Sequence, residues 1–153
     1  MTRKITERSP HLLLVEAPYY THIAALMRDG AERALAAAGA TFETLQVPGA
    51  FEIPGAIGMA ARTAGEFDGF VALGCVIRGE TSHYDHICES TADWLQHLAV
   101  ERGLPIGYGI LTCENEAQAL ARATPGGNGR DKGGEAVRAC LAMVAARRRF
   151  GGA

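Results

Sequence analysis

Phe70-Val71-Ala72-Leu73-Gly74-Cys75-Val76-Ile77-Arg78-Gly79-Glu80-Thr81-Ser82-His83 opens as an unbroken apolar run and closes as a glycine-bounded polar loop. An apolar run without polar alternation predicts a strand covered on both faces, as in a parallel sheet. The loop leads into a helix that Thr81 or Ser82 can cap. Open backbone N–H groups and the positive dipole end at a helix start form an anion seat. Arg78 adds fixed charge beside that seat, and His83 is a side chain able to titrate near neutral pH. An anion seat with a proton carrier a few residues away points to chemistry on a phosphorylated or carboxylated small molecule.

The flanking sequence repeats the same strand-then-helix order. Upstream, Leu12-Leu13-Leu14-Val15 is a second continuous apolar run, ending in Glu16-Ala17-Pro18-Tyr19-Tyr20. Ile23, Leu26, Met27, Gly30, Ala31, Ala34, Leu35 and Ala38 then recur at helical spacing, and Gly39 stops that helix. Thr41 to Val47 reads as a strand closed by Pro48-Gly49, and Ala50-Phe51-Glu52 opens a helix carrying Ile53, Ile57, Ala60 and Ala64. Pro54 fits its first turn. Downstream of His83 a helix runs towards Gly103 and is expected to bury Ile87, Trp94, Leu95 and Leu98. Pro105 to Leu111 is the fourth strand, Thr112 to Asn115 caps a short helix, and Val137, Cys140, Leu141 and Val144 mark a final one.

This alternation predicts a three-layer α/β/α sandwich around a four-stranded parallel sheet, of flavodoxin-like type. Residues 1–10 are expected to form a flexible tail, and residues 11–153 a single domain. Ligands of such sheets bind beyond the carboxyl ends of the strands. The segments placed there are Glu16–Tyr20, Pro48–Glu52, Val76–His83 and Thr112–Asn115. Most of them put an aromatic or charged side chain beside Gly or Pro, so the polar punctuation converges on one edge.

Composition excludes several classes. The 153 residues are 48% hydrophobic and 21% charged, with a net charge of −2. That balance offers no whole-molecule attraction to nucleic acid or to a membrane surface. No apolar run approaches the roughly 20 residues of a membrane span, and the first ten residues lack the apolar core of a signal peptide. The four cysteines, Cys75, Cys88, Cys113 and Cys140, show no metal spacing. Reduced thiols in a cytoplasmic protein are the expectation.

Other constellations have plainer readings. Gly126 to Gly134 is glycine-rich, but it lacks G-K-[ST], follows a helix, and places Lys132 where G-x-G-x-x-G needs glycine. It reads as a flexible connector, with Arg122, Arg130 and Lys132 leaving room for an anion-binding role. His83, Asp85 and His86 have no accompanying ligand cluster, so no metal is assigned. His11, His22 and His97 read as surface histidines. Cys75 and Cys113 stand at strand ends, yet nothing adjacent in sequence would lower a thiol pKa. A phosphoacceptor receiver domain needs clustered aspartates at its strand ends, where this chain has Glu16 and Cys75.

Four stretches together carry a resemblance: Val47-Pro48-Gly49-Ala50-Phe51-Glu52-Ile53-Pro54, Leu73 to Asp85, Gly107-Tyr108-Gly109-Ile110-Leu111-Thr112-Cys113-Glu114-Asn115, and Asp131-Lys132-Gly133-Gly134-Glu135-Ala136. In this order they resemble the 6,7-dimethyl-8-ribityllumazine synthase family over about residues 12–149. The resemblance implies condensation of 5-amino-6-(D-ribitylamino)uracil with 3,4-dihydroxy-2-butanone 4-phosphate. That is the penultimate step of riboflavin synthesis, a transferase reaction run without metal or organic cofactor.

By the same resemblance, Tyr19 stacks on the pyrimidine, while Ala50, Phe51 and Glu52 hold the ring and ribityl chain. The backbone of Cys75, Val76 and Ile77 hydrogen-bonds the ring. Glu80 and Thr81 present N–H groups to the phosphate, which Arg122 clamps, and His83 moves protons. Tyr108, Arg122 and Lys132 are implied to come from a neighbouring subunit of a homopentamer, with Glu135 orienting His83. Riboflavin synthase is the implied downstream partner. Two departures stand out. Tyr19 and Tyr108 add hydroxyls, and the Arg122–Lys132 loop, with Pro125, is longer than a sixty-subunit shell suggests, so an isolated pentamer is expected.

Overall fold

The computed structural model describes residues 8–63, 65–126 and 130–151. Most of the expected tail, residues 1–7, lies outside them, as do Ala64 and the middle of the glycine-rich loop, 127–129. Four strands, β1 (His11–Glu16), β2 (Thr41–Gln46), β3 (Gly69–Ile77) and β4 (Ile106–Cys113), form one parallel sheet in the order β2-β1-β3-β4. The helices are α1 (Thr21–Ala38), α2 (Ile53–Ala60), α3 (His83–Arg102), α4 (Glu116–Ala123) and α5 (Lys132–Arg149), with a 3-10 turn over Ala50–Glu52 before α2.

Strand periodicity sorts the core into two layers. Successive side chains of a strand point to opposite faces. Leu12 and Leu14 of β1, Val71 and Leu73 of β3, and Leu111 and Cys113 of β4 face one core with Ile23, Met27 and Leu35 of α1 and Val137, Cys140 and Val144 of α5. Leu13, Val15, Phe70, Ala72 and Ile110 face the other, against Ile53, Ile57 and Leu95. Each fully covered Leu or Val contributes roughly 1.5–3 kcal/mol of burial. The continuous apolar runs are therefore what a sheet sandwiched on both faces requires, and the three-layer expectation holds.

The two outer strands differ from the central pair. All six residues of β2 are exposed, because it is a sheet edge with little helix over it. Strand β4 runs two residues past Leu111, since the pairs Val76–Thr112 and Ile77–Cys113 extend its ladder along β3. Helix α5 lies so close to β4 that a Cβ on Gly107 would sit 2.0 Å from the Ala136 carbonyl oxygen. Glycine is required there by proximity, whereas Gly39 ends α1 with a φ of 65°.

One expected contact is corrected. Trp94 is 59% exposed, while Leu95 beside it is buried and Ile87 and Leu98 are half-buried. Helix α3 rests on the sheet through the Thr91–Leu95 side, and the turn carrying Trp94 faces outward.

Candidate active site

Three loops meet above the carboxyl ends of β1, β2 and β3. They enclose a cleft of about 670 Å3 lined by Tyr19, Tyr20, Pro48 to Glu52, Cys75 to Ile77, His83 and Ile87. The end of β3 places Cys75, Val76 and Ile77 along its lining. The 3-10 turn supplies Ala50, Phe51 and Glu52 at one side, and the first residue of α3 supplies His83 at the other. Tyr19 is 75% exposed and Phe51 62%, so two aromatic faces stand open at the mouth.

The loop from Arg78 to Ser82 is built to leave donors open. Its first N–H, that of Arg78, donates to the Cys113 carbonyl at 2.9 Å and so continues the ladder. The His83 N–H donates to the Thr81 hydroxyl at 3.3 Å, so Thr81 caps the helix start and Ser82, the residue at the cap position, contributes no side-chain bond. Among the described residues, no acceptor takes the backbone N–H of Glu80 or Thr81. Two donors without acceptors beside a helix start are the elements of an anion seat.

Arg78 is engaged elsewhere. It donates to Asp85 and to Glu114, and its guanidinium lies 4.3 Å from the Tyr84 ring centre. These carboxylates hold its pKa above the ordinary arginine value. The cleft therefore has no cation of its own among the described residues that line it. Its carboxylate is that of Glu52 and its imidazole that of His83.

The Cys75 side chain packs against the core layer of α1 and α5. Burial pushes the Cys75 pKa up to about 12, with the neighbouring Cys113 adding to the effect. A nucleophilic role is closed to it at neutral pH. Burial likewise raises the pKa of the Tyr20 hydroxyl. Tyr20 packs edge-on to Tyr19, with ring centres 5.0 Å apart, and so supports the exposed ring.

Within one chain the remaining candidate residues stand apart from the cleft. Tyr108 is on β4, facing Asp93 and Gln96 of α3 across a separate hollow. Arg122, in the last turn of α4, donates to the Gln118 carbonyl at 3.0 Å. The Lys132 ammonium lies 2.7 Å from Glu135 in the first turn of α5, so Glu135 faces a lysine in its own chain and not His83. Among the described residues no group of three or more His, Cys, Asp or Glu is placed to hold a metal ion. Tyr20, Pro48 and Gly49 lie in the strand-end segments that the sequence places at the ligand edge, although it gives them no role of their own; Ile87, expected only in the core, also lines the cleft, and its helical offset from His83 is the signal that marks it.

Similarity to known proteins points the same way. The sequence model of the family described as 6,7-dimethyl-8-ribityllumazine synthase matches residues 9–148. A 6,7-dimethyl-8-ribityllumazine synthase of Agrobacterium fabrum is 50% identical over 147 residues, covering 94% of this chain and 98% of the relative. A protein of Rhizobium meliloti, 6,7-dimethyl-8-ribityllumazine synthase 1, is 52% identical over 147 residues, covering 92% and 94%. A Sphingopyxis alaskensis synthase is 50% identical over 141 residues, covering 92% and 97%.

Proposed function

The chain belongs to the 6,7-dimethyl-8-ribityllumazine synthase family, a transferase of riboflavin biosynthesis, and from that premise we propose how its own residues divide the reaction. The substrates are 5-amino-6-(D-ribitylamino)uracil and 3,4-dihydroxy-2-butanone 4-phosphate; the products are 6,7-dimethyl-8-ribityllumazine, phosphate and water. The observation that carries the assignment is the cleft itself, where flat aromatics, strand-end backbone and one histidine meet at the carboxyl edge of the sheet.

The pyrimidine lies against Tyr19, reads the Cys75–Ile77 backbone, and is bounded by Ala50, Phe51 and Glu52, whose carboxylate takes ribityl hydroxyls. The phosphate sits on the Glu80 and Thr81 N–H groups. When the amine of the pyrimidine attacks the ketone, a C–N bond forms and His83 carries protons so that water can leave. The same imidazole then accepts the proton from the carbon beside the imine as the C–O bond to phosphate breaks, leaving an enol; the ribitylamino nitrogen attacks the carbonyl formed from that enol, and this second C–N bond closes the ring as a second water leaves. Holding two substrates side by side supplies most of the rate, and proton transfer adds on the order of 10²-fold.

The phosphate needs a cation that this cleft does not hold on its own chain. Arg122, with Tyr108 and Lys132, supplies it from an adjacent copy in a homopentamer. Three features support this arrangement: the cation-free cleft, the exposure of Tyr108, and the apolar surface at Trp94, Val100, Met59 and Phe51. In the neighbour's site Lys132 and Glu135 travel together, so Glu135 reaches His83 only across the interface. No helix among the described residues is long and apolar enough to cross a membrane; the reading places the enzyme in the cytoplasm, upstream of riboflavin synthase.

Mixing the two substrates with purified protein should generate the lumazine absorbance well above the spontaneous rate. Turnover no faster than the buffer control overturns the assignment. Light scattering should report a particle of five chains; a particle near a megadalton overturns the isolated pentamer.

A further inference from the structure

A second cavity, of about 460 Å3, opens at the amino ends of the strands, on the opposite edge of the sheet from the cleft. Arg8, Arg62, Arg147, Arg148, Asp68 and Phe67 line it. Four guanidiniums around one hollow are unusual in a chain whose net charge is −2. Asp68 is the one carboxylate among its described lining residues, and that carboxylate is already committed. One oxygen accepts from Arg8 at 2.7 Å and the other from the His11 N–H at 2.8 Å, with Arg148 at 3.9 Å. Arg148 also donates to the Arg8 backbone carbonyl at 2.9 Å, which ties the end of α5 to the chain at Arg8.

Arg62 and Arg147 have no ion-pair partner among the described residues. Complementing helix ends does not account for them. The carboxyl ends of α2 and α5 contribute roughly half a negative charge each, so Arg62 and Arg147 by themselves leave a surplus of about one positive charge. Like-charged groups held together in a partly enclosed space attract a counter-charge strongly. Planar guanidinium forks match phosphate oxygens two at a time. The volume lies within the roughly 300–1,000 Å3 of sites for small organic ligands.

We propose that this arginine-lined cavity is a second anion site, remote from the cleft, that binds a phosphorylated small molecule carrying two or more negative charges. Arg62 and Arg147 take its phosphate oxygens, and the Asp68-braced pair of Arg8 and Arg148 forms the fixed wall.

Isothermal titration of the assembled protein with inorganic pyrophosphate at low salt tests this. The expected result is binding that Arg62→Gln and Arg147→Gln each weaken roughly tenfold, the value of one charge-assisted contact. Lumazine turnover should stay unchanged in both variants, and the same binding should persist in Arg122→Ala. Arg62 is exposed, so Arg62→Gln keeps the test sound even if the half-buried Arg147 does not tolerate change. Three results overturn the proposal: no binding at millimolar pyrophosphate, binding indifferent to Arg62→Gln, or binding abolished by Arg122→Ala.

Discussion

The Arg78 guanidinium donates to both carboxylate oxygens of Asp85, at 3.2 and 3.1 Å, across the loop that carries Glu80 and Thr81. A third bond, to Glu114 at 2.8 Å, ties the same guanidinium to the end of β4. The loop is thus pinned at both ends by one side chain. Arg78→Ala should lower kcat for lumazine formation roughly tenfold, since shifting reacting groups by about 1 Å is costly. The urea midpoint should move little, because exposed ion pairs stabilise weakly. Arg78→Lys should restore only part of the loss, lacking the fork. An unchanged kcat in Arg78→Ala would show that the loop keeps its shape without the clamp.

His83 supplies the imidazole that lines the cleft, and its replacement separates proton transfer from binding. His83→Ala should reduce kcat by on the order of 10²-fold while KM stays within a few-fold. Circular dichroism should match the parent, as His83 is exposed. A variant that turns over at the parental rate removes His83 from the mechanism.

Glu16 is 2% exposed at the end of β1 and is held by Arg28 and by the Gln46 amide, which donates at 2.7 Å. Arg28→Ala leaves that carboxylate buried without its charge partner. The loss should be about 2–3 kcal/mol, below the figure for a fully enclosed pair because Arg28 is 38% exposed. Urea denaturation measures it, and Glu16→Gln in the same background should recover much of the stability.

Two glycines should respond oppositely to a methyl group. Gly107→Ala collides with the Ala136 carbonyl and should cost about 3 kcal/mol or prevent folding. Gly55, inside α2, has nothing within 4 Å of the place a Cβ would take; Gly55→Ala should stabilise by roughly 0.5–1 kcal/mol through helix propensity. Thermal melts of the pair distinguish close approach from chain entropy.

Burial pushes the Cys75 and Cys140 pKa values up to about 12 from an ordinary 9.0. Below pH 9 both the folded and the unfolded chain hold these protons. Between pH 9 and 12 only the folded chain does, so it must forgo ionisation and stability falls as pH rises, by on the order of 1 kcal/mol per pH unit per thiol. Urea midpoints at pH 8 and pH 10.5 should show the decline, and Cys140→Ala should make it shallower. An equal slope in the variant would assign the decline to other groups.

Much of this molecule can be read along the chain. The apolar runs at Leu12–Val15 and Phe70–Leu73, and the stops at Gly39 and Gly103, depend on local chemistry and predict the layers directly. The cleft follows from them, because strand ends must converge. What the chain does not display is any contact made by distance in sequence. Arg8 and Arg148 meet 140 residues apart. Arg28 could have paired with Glu32 one turn on along its own helix but turns to Glu16. Trp94 is misread because helical spacing marks an apolar stripe without saying whether its own chain covers it.

Helix α5 has a consequence for how the chain is made. It packs on α1, on β3 and on β4, and Gly133 at its start lies against the Met27 carbonyl, with a Cβ there only 2.1 Å away. The core layer of Leu12, Leu14, Val71 and Leu73 is therefore covered by α1 alone until α5 has emerged from the ribosome. Earlier segments must wait, with the α1 face and the Leu12–Leu14 side of the sheet partly open to solvent and to chaperones. A stalled or truncated chain lacking α5 should be captured and degraded, while a late substitution such as one at Gly133 should impair yield more than rate.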